Sequence, residues 1–149
     1  MGGAIALAGG LAGSAIGMAI AGYNGVAALA EGPEHLRNVI ILAALPMSRV
    51  FYGFILLIIV ITIVVPKLAA MPDPGSSGFA VAACGLIAAF AFGFSGIYQG
   101  SVCASGISSL IMTKGRILTN SIMLAVFVEL IAVLGLVFTI MALSILGLM

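Results

Sequence analysis

The sequence predicts an all-α integral membrane protein with four transmembrane helices, arranged as two tandem helical hairpins. Of its 149 residues, 64 % are hydrophobic and 6 % are charged, and the mean hydropathy is +1.41. Average soluble domains carry about 25 % charged residues, so the composition excludes a soluble enzyme, and its low charge excludes a disordered chain. Continuous apolar runs favour membrane-spanning helices over the alternating strands of a β-barrel.

Four apolar stretches are separated by three polar linkers. The stretches cover about residues 4–30, 39–65, 78–111 and 121–148, and each exceeds the roughly 20 residues that cross a bilayer core. The linkers are residues 31–37, residues 66–77 with three prolines as helix breakers, and residues 114–116. We therefore expect one membrane domain over 1–149, with a first hairpin over 1–68 and a second over 75–149.

An internal repeat supports the two hairpins. The segment Gly22–Gly25 in the first span matches Ile97–Gly100 in the third, and Val50–Phe54 in the second span matches Ala132–Leu136 in the fourth. Each half contributes two spans, so both halves have the same orientation in the membrane. The chain is expected to be a parallel repeat rather than an inverted one.

The charged residues predict a topology. Lysine and arginine concentrate in linkers 31–37 and 114–116, whereas the middle linker sets Lys67 against Asp73. The positive-inside rule then puts the first and third linkers in the cytoplasm and both termini outside. The chain begins without the positive region of a secretory signal, and its short N-terminus favours a prokaryotic plasma membrane. No cluster of basic residues supports nucleic-acid binding.

Small residues recur along the first and third spans. Glycines follow each other every four residues from Gly9 to Gly17, and glycine or alanine does the same from Gly85 to Gly93, with Gly96 and Gly100 following after a three-residue step. Such stripes let helix backbones approach closely in lipid. They indicate either packing within one chain or tight packing around an oligomeric ring, with these two helices as an inner cylinder. The bulkier second and fourth spans would then form a lipid-facing outer layer.

Glu129 is the main candidate for function. It lies well inside the fourth span, where an ionised carboxylate costs several kcal/mol unless it is paired or protonated. A carboxyl group in this environment can exchange a proton, or it can ligate Na⁺ when other oxygens converge on it.

Neighbouring spans hold further polar groups. Gln99 lies inside the third span, and Ser48 and Tyr52 lie in the second. Pro46 frees the carbonyl oxygen of Leu42 four residues before it, and freed carbonyls beside a carboxyl form an ion site. Other interpretations stay open: Ser48 can bond back to its own helix, Gln99 can clamp two helices together, and Tyr52 can simply pack.

A specific combination of residues is formed by Pro33–Glu34, Leu45–Phe54, Gly96–Gly100, Val128–Glu129 and Gly135. In these residues the chain resembles the four-helix membrane proteolipid of rotary V-type and A-type ATPases, the c or K subunit of the rotor ring. The resemblance extends over nearly the whole chain.

The resemblance implies which residues bind the transported cation. The family keeps one essential carboxylate per four-helix unit, on the fourth helix, and this position falls on Glu129. Its equivalent in the first hairpin is Met47, which matches the loss of the first acid in the family. In sodium-binding members the ligands are similar to the Leu45 carbonyl, the Ser48 hydroxyl, Gln99 and Glu129, so Na⁺ is possible at these residues.

Arg49 departs from the family pattern, which has a glutamine in sodium-binding members. A guanidinium cannot ligate a cation, and it would repel Na⁺ by about 3 kcal/mol at about 5 Å and an effective dielectric of about 20. It can pair with Glu129, face another acceptor or a neighbouring subunit, or snorkel away from the site. We therefore expect H⁺ rather than Na⁺.

The resemblance also implies function and partners. The chain is expected to be a non-catalytic subunit that translocates H⁺ or Na⁺ by reversible binding at Glu129, coupled to ring rotation, without a cofactor. Expected partners are identical subunits in a ring, membrane lipid, a stator subunit with an essential arginine, and a central-stalk subunit at the cytoplasmic loops. The alternative is a small secondary transporter or channel with Glu129 and Arg49 in its pathway.

Overall fold

Four long helices make up the structure, a computed structural model that describes residues 1–72 and 74–149. Each helix is long and apolar enough to cross a membrane, and no strand occurs in the described residues. The all-α, four-span fold is confirmed. The helices are α1 (Gly2–Glu31), α2 (Pro33–Ala69), α3 (Pro74–Ser108) and α4 (Leu118–Ile145).

Helix α2 changes its winding at each of its prolines. Pro33, Pro46 and Pro66 all lie in the first two residues of a new segment. Proline has no backbone N–H for the regular helical ladder, so the helix passes through shorter or wider turns around these positions. In order, the segments are a 3₁₀ turn (Pro33–His35), an α-helix (Leu36–Ala44), a 3₁₀ turn (Leu45–Met47), an α-helix (Ser48–Ile59), a π-helix (Val60–Val64) and an α-helix (Val65–Ala69).

The predicted middle linker over residues 66–77 is wrong in extent. Helix α2 continues through Pro66 to Ala69, because the π-helical turn before the proline accommodates the missing donor. Helix α3 begins at Pro74, a position where the lost N–H would have had no helical partner. Lys67 therefore lies on a helix, and Asp73, its expected counterpart in the linker, lies outside the described residues.

Helices α1 and α3 pack with their backbones in contact. A Cβ added at Gly9 would lie 2.5 Å from the Cα of Ala89, and one added at Gly13 would lie 2.5 Å from the carbonyl oxygen of Gly93. Gly17 makes the same kind of contact one turn further along. The glycine stripes are thus used within one chain, which is the first of the two interpretations, and they make α1 and α3 close neighbours.

Bulky apolar side chains cover the outside of the bundle. Phe51 and Phe54 on α2 and Phe127 on α4 are each more than half exposed, as expected for a lipid-facing layer. Helix α3 also presents large residues outward, since Phe90 and Phe94 are exposed and stack with ring centroids 5.9 Å apart. The predicted division into small-residue and bulky helices therefore describes only one face of α3.

The first and third connections lie at the same end of the bundle. A Cβ added at Gly115 would lie 3.2 Å from Asn38 Nδ2 and 3.7 Å from a ring carbon of His35. Gly115 has a φ of +80°, which glycine adopts without strain. The predicted first linker over residues 31–37 is wrong in extent, because α1 runs to Glu31 and α2 begins at Pro33. Arg37, near the start of α2, and Lys114, in the turns after α3, thus belong to one surface at this end of the bundle.

A methyl group at Gly13 should disrupt the α1–α3 contact. We expect Gly13→Ala to lower the free energy of unfolding by about 1–3 kcal/mol, because the new Cβ meets backbone that cannot rotate away. Gly22→Ala is the matched control, since a Cβ there meets nothing within 4 Å. Unfolding of the purified protein in detergent measures both. Equal stability of the two variants would contradict this packing.

Candidate functional site

Helices α2, α3 and α4 converge on the carboxylate of Glu129. The Ser48 hydroxyl donates a hydrogen bond to Glu129 Oε1 at 2.6 Å, and the Tyr52 hydroxyl donates to the same oxygen at 2.7 Å. Gln99 Nε2 donates to the other oxygen, Oε2, at 2.9 Å. One carboxylate is therefore contacted by Ser48 and Tyr52 of the second span and by Gln99 of the third.

The winding of α2 aims its polar residues at this site. The 3₁₀ turn at Leu45–Met47 ends where a new α-helical segment begins at Ser48. Ser48 and Tyr52 are four residues apart, so they lie on one face of that segment. The buried hydroxyl of Ser14 on α1 donates to the Pro46 carbonyl oxygen at 2.7 Å and holds the turn in place.

Arg49 pairs with Glu129 inside the chain, which is the first of its three interpretations. Its NH1 lies 2.8 Å from Glu129 Oε2, and its side chain is fully buried. The same NH1 donates to Ser48 Oγ at 2.7 Å, while Nε and NH2 donate to Ser95 Oγ at 2.9 and 2.8 Å. The guanidinium is thus held on two sides, by Glu129 with Ser48 and by Ser95.

Ser48 is close to two possible acceptors. Its hydroxyl oxygen lies 3.2 Å from the Leu45 carbonyl oxygen and 2.6 Å from Glu129 Oε1. A hydroxyl has a single proton, and hydrogen bonds to an ionised acceptor are the shorter and stronger ones. The proton therefore goes to Glu129, and the contact back to its own helix is the weaker one. Leu45 reaches the site only through Ser48.

The two polar atoms of the Gln99 amide differ in their hydrogen bonding. Its Nε2 donates to the Ala125 carbonyl oxygen at 3.0 Å as well as to Glu129, so it joins α3 to α4 and contacts the site at once. Its Oε1 is buried, and no hydrogen-bond partner for it is found among the described residues. This leaves one acceptor at the site available.

Ser95 was missed in the sequence. It lies four residues before Gln99 on α3, on the same helix face, and that spacing was the available signal. Its hydroxyl accepts from Arg49 and lies 3.3 Å from the Val128 carbonyl oxygen. Met47, the repeat equivalent of Glu129, is instead 47 % exposed.

Comparison with known proteins decides the family. The model of the family of ATP synthase C subunits matches residues 1–60 and 82–142. The chain belongs to this ATP synthase C-subunit family. The first match covers α1 and most of α2, and the second covers most of α3 and of α4, so this family member contains the family unit twice, as the internal repeat indicates.

Two curated relatives are similar over most of the chain. The A-type ATP synthase subunit K of Methanocaldococcus jannaschii is 30 % identical over 131 residues, which cover 88 % of this chain and 54 % of the relative. The V-type sodium ATPase subunit K of Enterococcus hirae is 31 % identical over 125 residues, which cover 84 % and 76 %. This family member therefore spans about half the length of the archaeal relative.

The buried Arg49–Glu129 ion pair leads to a prediction about the stability of this family member. Glu129→Gln leaves the Arg49 guanidinium without a counter-charge, and breaking a buried pair costs about 3–5 kcal/mol. We expect Arg49→Gln combined with Glu129→Gln to recover most of that loss, since no buried charge is left. Unfolding in detergent of both single variants and the double variant tests this. Additive losses would contradict the pairing.

Proposed function

We propose that this chain is a proteolipid of the rotor ring of a V-type or A-type rotary ATPase and has no catalytic site of its own. Family membership and the two relatives, both named as subunit K of such complexes, support this assignment. Identical copies would stand side by side in a ring within membrane lipid. Four helices long and apolar enough to cross a membrane fit this environment.

The observation that carries the mechanism is the Glu129 carboxylate inside the bundle. It is 19 % exposed and accepts hydrogen bonds from Ser48, Tyr52 and Gln99. A carboxylate that is partly open to the exterior can take up and release a cation. The proposed binding groups are Glu129, Gln99, Ser48 and the Leu45 carbonyl, with Arg49 and Tyr52 as modulators.

Rotation would couple this exchange to ATP. Glu129 receives a cation from one half-channel of the stator, passes the lipid-facing part of the circle, and releases the cation into the other half-channel. An ionised carboxylate costs too much in hydrocarbon unless it is paired or protonated, so Glu129 crosses lipid with its charge neutralised. A membrane potential contributes about 2.3 kcal/mol per charge per 100 mV.

We propose H⁺ as the transported cation. A proton needs one carboxylate oxygen, whereas Na⁺ needs several converging oxygens, and Arg49 already donates to Ser48 and Glu129. The relative from Enterococcus hirae is named a sodium ATPase subunit, so Na⁺ is the competing hypothesis.

The remaining partners follow from the ring. A stator membrane subunit with an essential arginine would face Glu129, and a central-stalk subunit would bind the surface of linkers 31–37 and 114–116. We propose that this surface is cytoplasmic and both termini are outside, in a prokaryotic plasma membrane. The basic residues of the two linkers support that orientation.

A secondary transporter or channel is the second candidate. The Arg49–Glu129 pair at 2.8 Å is the feature that favours it, because such pairs line pathways within a single chain. Membership in the C-subunit family favours the rotor. A ring of many copies with lipid in its centre would exclude the channel.

Transport by the reconstituted complex tests the proposal. We expect Glu129→Gln to abolish ATP-driven cation uptake into vesicles, because the amide has no ionisable oxygen. Arg49→Gln with Glu129→Gln is the matched variant with no buried charge, and it should form rings and still not transport. A pH-sensitive dye and ²²Na⁺ uptake report the two cations separately. Transport that persists in both variants would overturn the assignment.

A further inference from the structure

The guanidinium of Arg49 lies where a bound cation would lie. Its NH1 is 2.7 Å from Ser48 Oγ and 2.8 Å from Glu129 Oε2, and these are two of the oxygens that a metal cation at this site would share. An ion bonded to both oxygens from the side on which NH1 lies would overlap NH1. The Arg49 side chain and a metal cation therefore cannot share that position.

The charges at the site oppose any added cation, so discrimination between a metal ion and a proton rests on the space that NH1 occupies. The charged groups that face the site are Arg49 on α2 and Glu129 on α4, and together they are neutral. The other titratable groups near the pair, Tyr52 on α2 and Cys103 on α3, are ordinarily uncharged. On α1, the Ser14 hydroxyl donates to the Pro46 carbonyl oxygen. A free metal cation would thus enter a site whose carboxylate is already neutralised, beside a buried positive charge.

Ser95 holds Arg49 in this position independently of the carboxylate. Its hydroxyl oxygen accepts from both Nε and NH2, at 2.9 and 2.8 Å, and it is itself 2 % exposed. Arg49 is therefore fixed from the α3 side even when its contact with Glu129 is broken. Without this anchor, the polar contacts that remain for the guanidinium among the described residues would be those to Ser48 and Glu129.

Gln99 Oε1 indicates what the site would do without the guanidinium. It is a buried acceptor for which no partner is found among the described residues, and the nitrogen of the same amide lies 2.9 Å from Glu129 Oε2. Carbonyl, hydroxyl and carboxylate oxygens are the ligands that hard cations bind. With NH1 gone, the Ser48 hydroxyl and the Glu129 carboxylate would lose a donor that they share, and the Gln99 amide would still lie beside the carboxylate.

We propose that Arg49, positioned by Ser95, is the specificity-determining residue of the site: a tethered cation that excludes Na⁺ from Glu129. This inference rests on the proposed function, because it explains how the same site discriminates between cations. A proton needs no coordination space, so it can bind a Glu129 oxygen that has separated from NH1 while Ser95 still holds the guanidinium.

Binding of ²²Na⁺ to the purified ring tests this inference. We expect Arg49→Gln, which removes the guanidinium and adds an amide oxygen, to raise the affinity for Na⁺ at least tenfold over the wild type. Arg37→Gln is the matched control, because it removes the same charge from an exposed position near the start of α2 and should leave Na⁺ binding unchanged.

Two results would overturn the inference. One is an Arg49→Gln ring that binds Na⁺ no better than the wild type. The other, which needs no Arg49 variant that folds, is tight Na⁺ binding by the wild type that Glu129→Gln removes. Neither result bears on the rotor assignment, which fails instead if ATP-driven transport survives the loss of Glu129.

Discussion

The Arg49–Glu129 ion pair is the interaction on which the rest of the site depends. A charged group inside hydrocarbon must be paired or neutralised, and here each charge neutralises the other at 2.8 Å. The other polar side chains at the site each contact one or both members of the pair. Ser95 holds the guanidinium, Tyr52 and Gln99 hold the carboxylate, and Ser48 contacts both. Removing either charge therefore affects all the remaining contacts, because each is made to a member of the pair.

The backbone arrangement makes this pair possible. Glycine contacts bring α1 and α3 together, and Gly53 on α2 lets that helix approach α1 as well, since a Cβ there would lie 2.7 Å from the Cα of Leu7. Helix α2 thus comes close enough to α3 for the Arg49 side chain to reach Ser95. The 3₁₀ turn at Pro46 then sets the rotation at which Ser48, Arg49 and Tyr52 face α4. The same residues in an unbroken α-helix would have a different angular offset from the first half of α2.

Much of this arrangement was predictable from sequence. The four spans follow from apolar length, and Glu129, Gln99 and Ser48 stand out because polar side chains are costly in lipid. The partner of Arg49 was not predictable, because a pair with Glu129, contact with another acceptor or subunit, and snorkelling away from the site all satisfy the same charge, and only tertiary packing chooses between them. Ser95 was overlooked since serine is common in membrane helices, where it usually bonds to its own backbone. The linker was misplaced at Pro66, because proline ends a regular α-helix but not one that can widen by a π-helical turn.

Labelling of the purified protein with dicyclohexylcarbodiimide tests the central claim most directly, because the reagent modifies a protonated carboxyl in an apolar site. The modified residue is located by mass spectrometry, at a series of pH values, with and without Na⁺. Reversible proton binding at Glu129 predicts labelling at that residue that increases as the pH falls and does not respond to Na⁺. Suppression of the labelling by Na⁺ would contradict a proton site from which Arg49 excludes Na⁺. Absence of labelling at every pH would contradict reversible cation binding at Glu129 altogether.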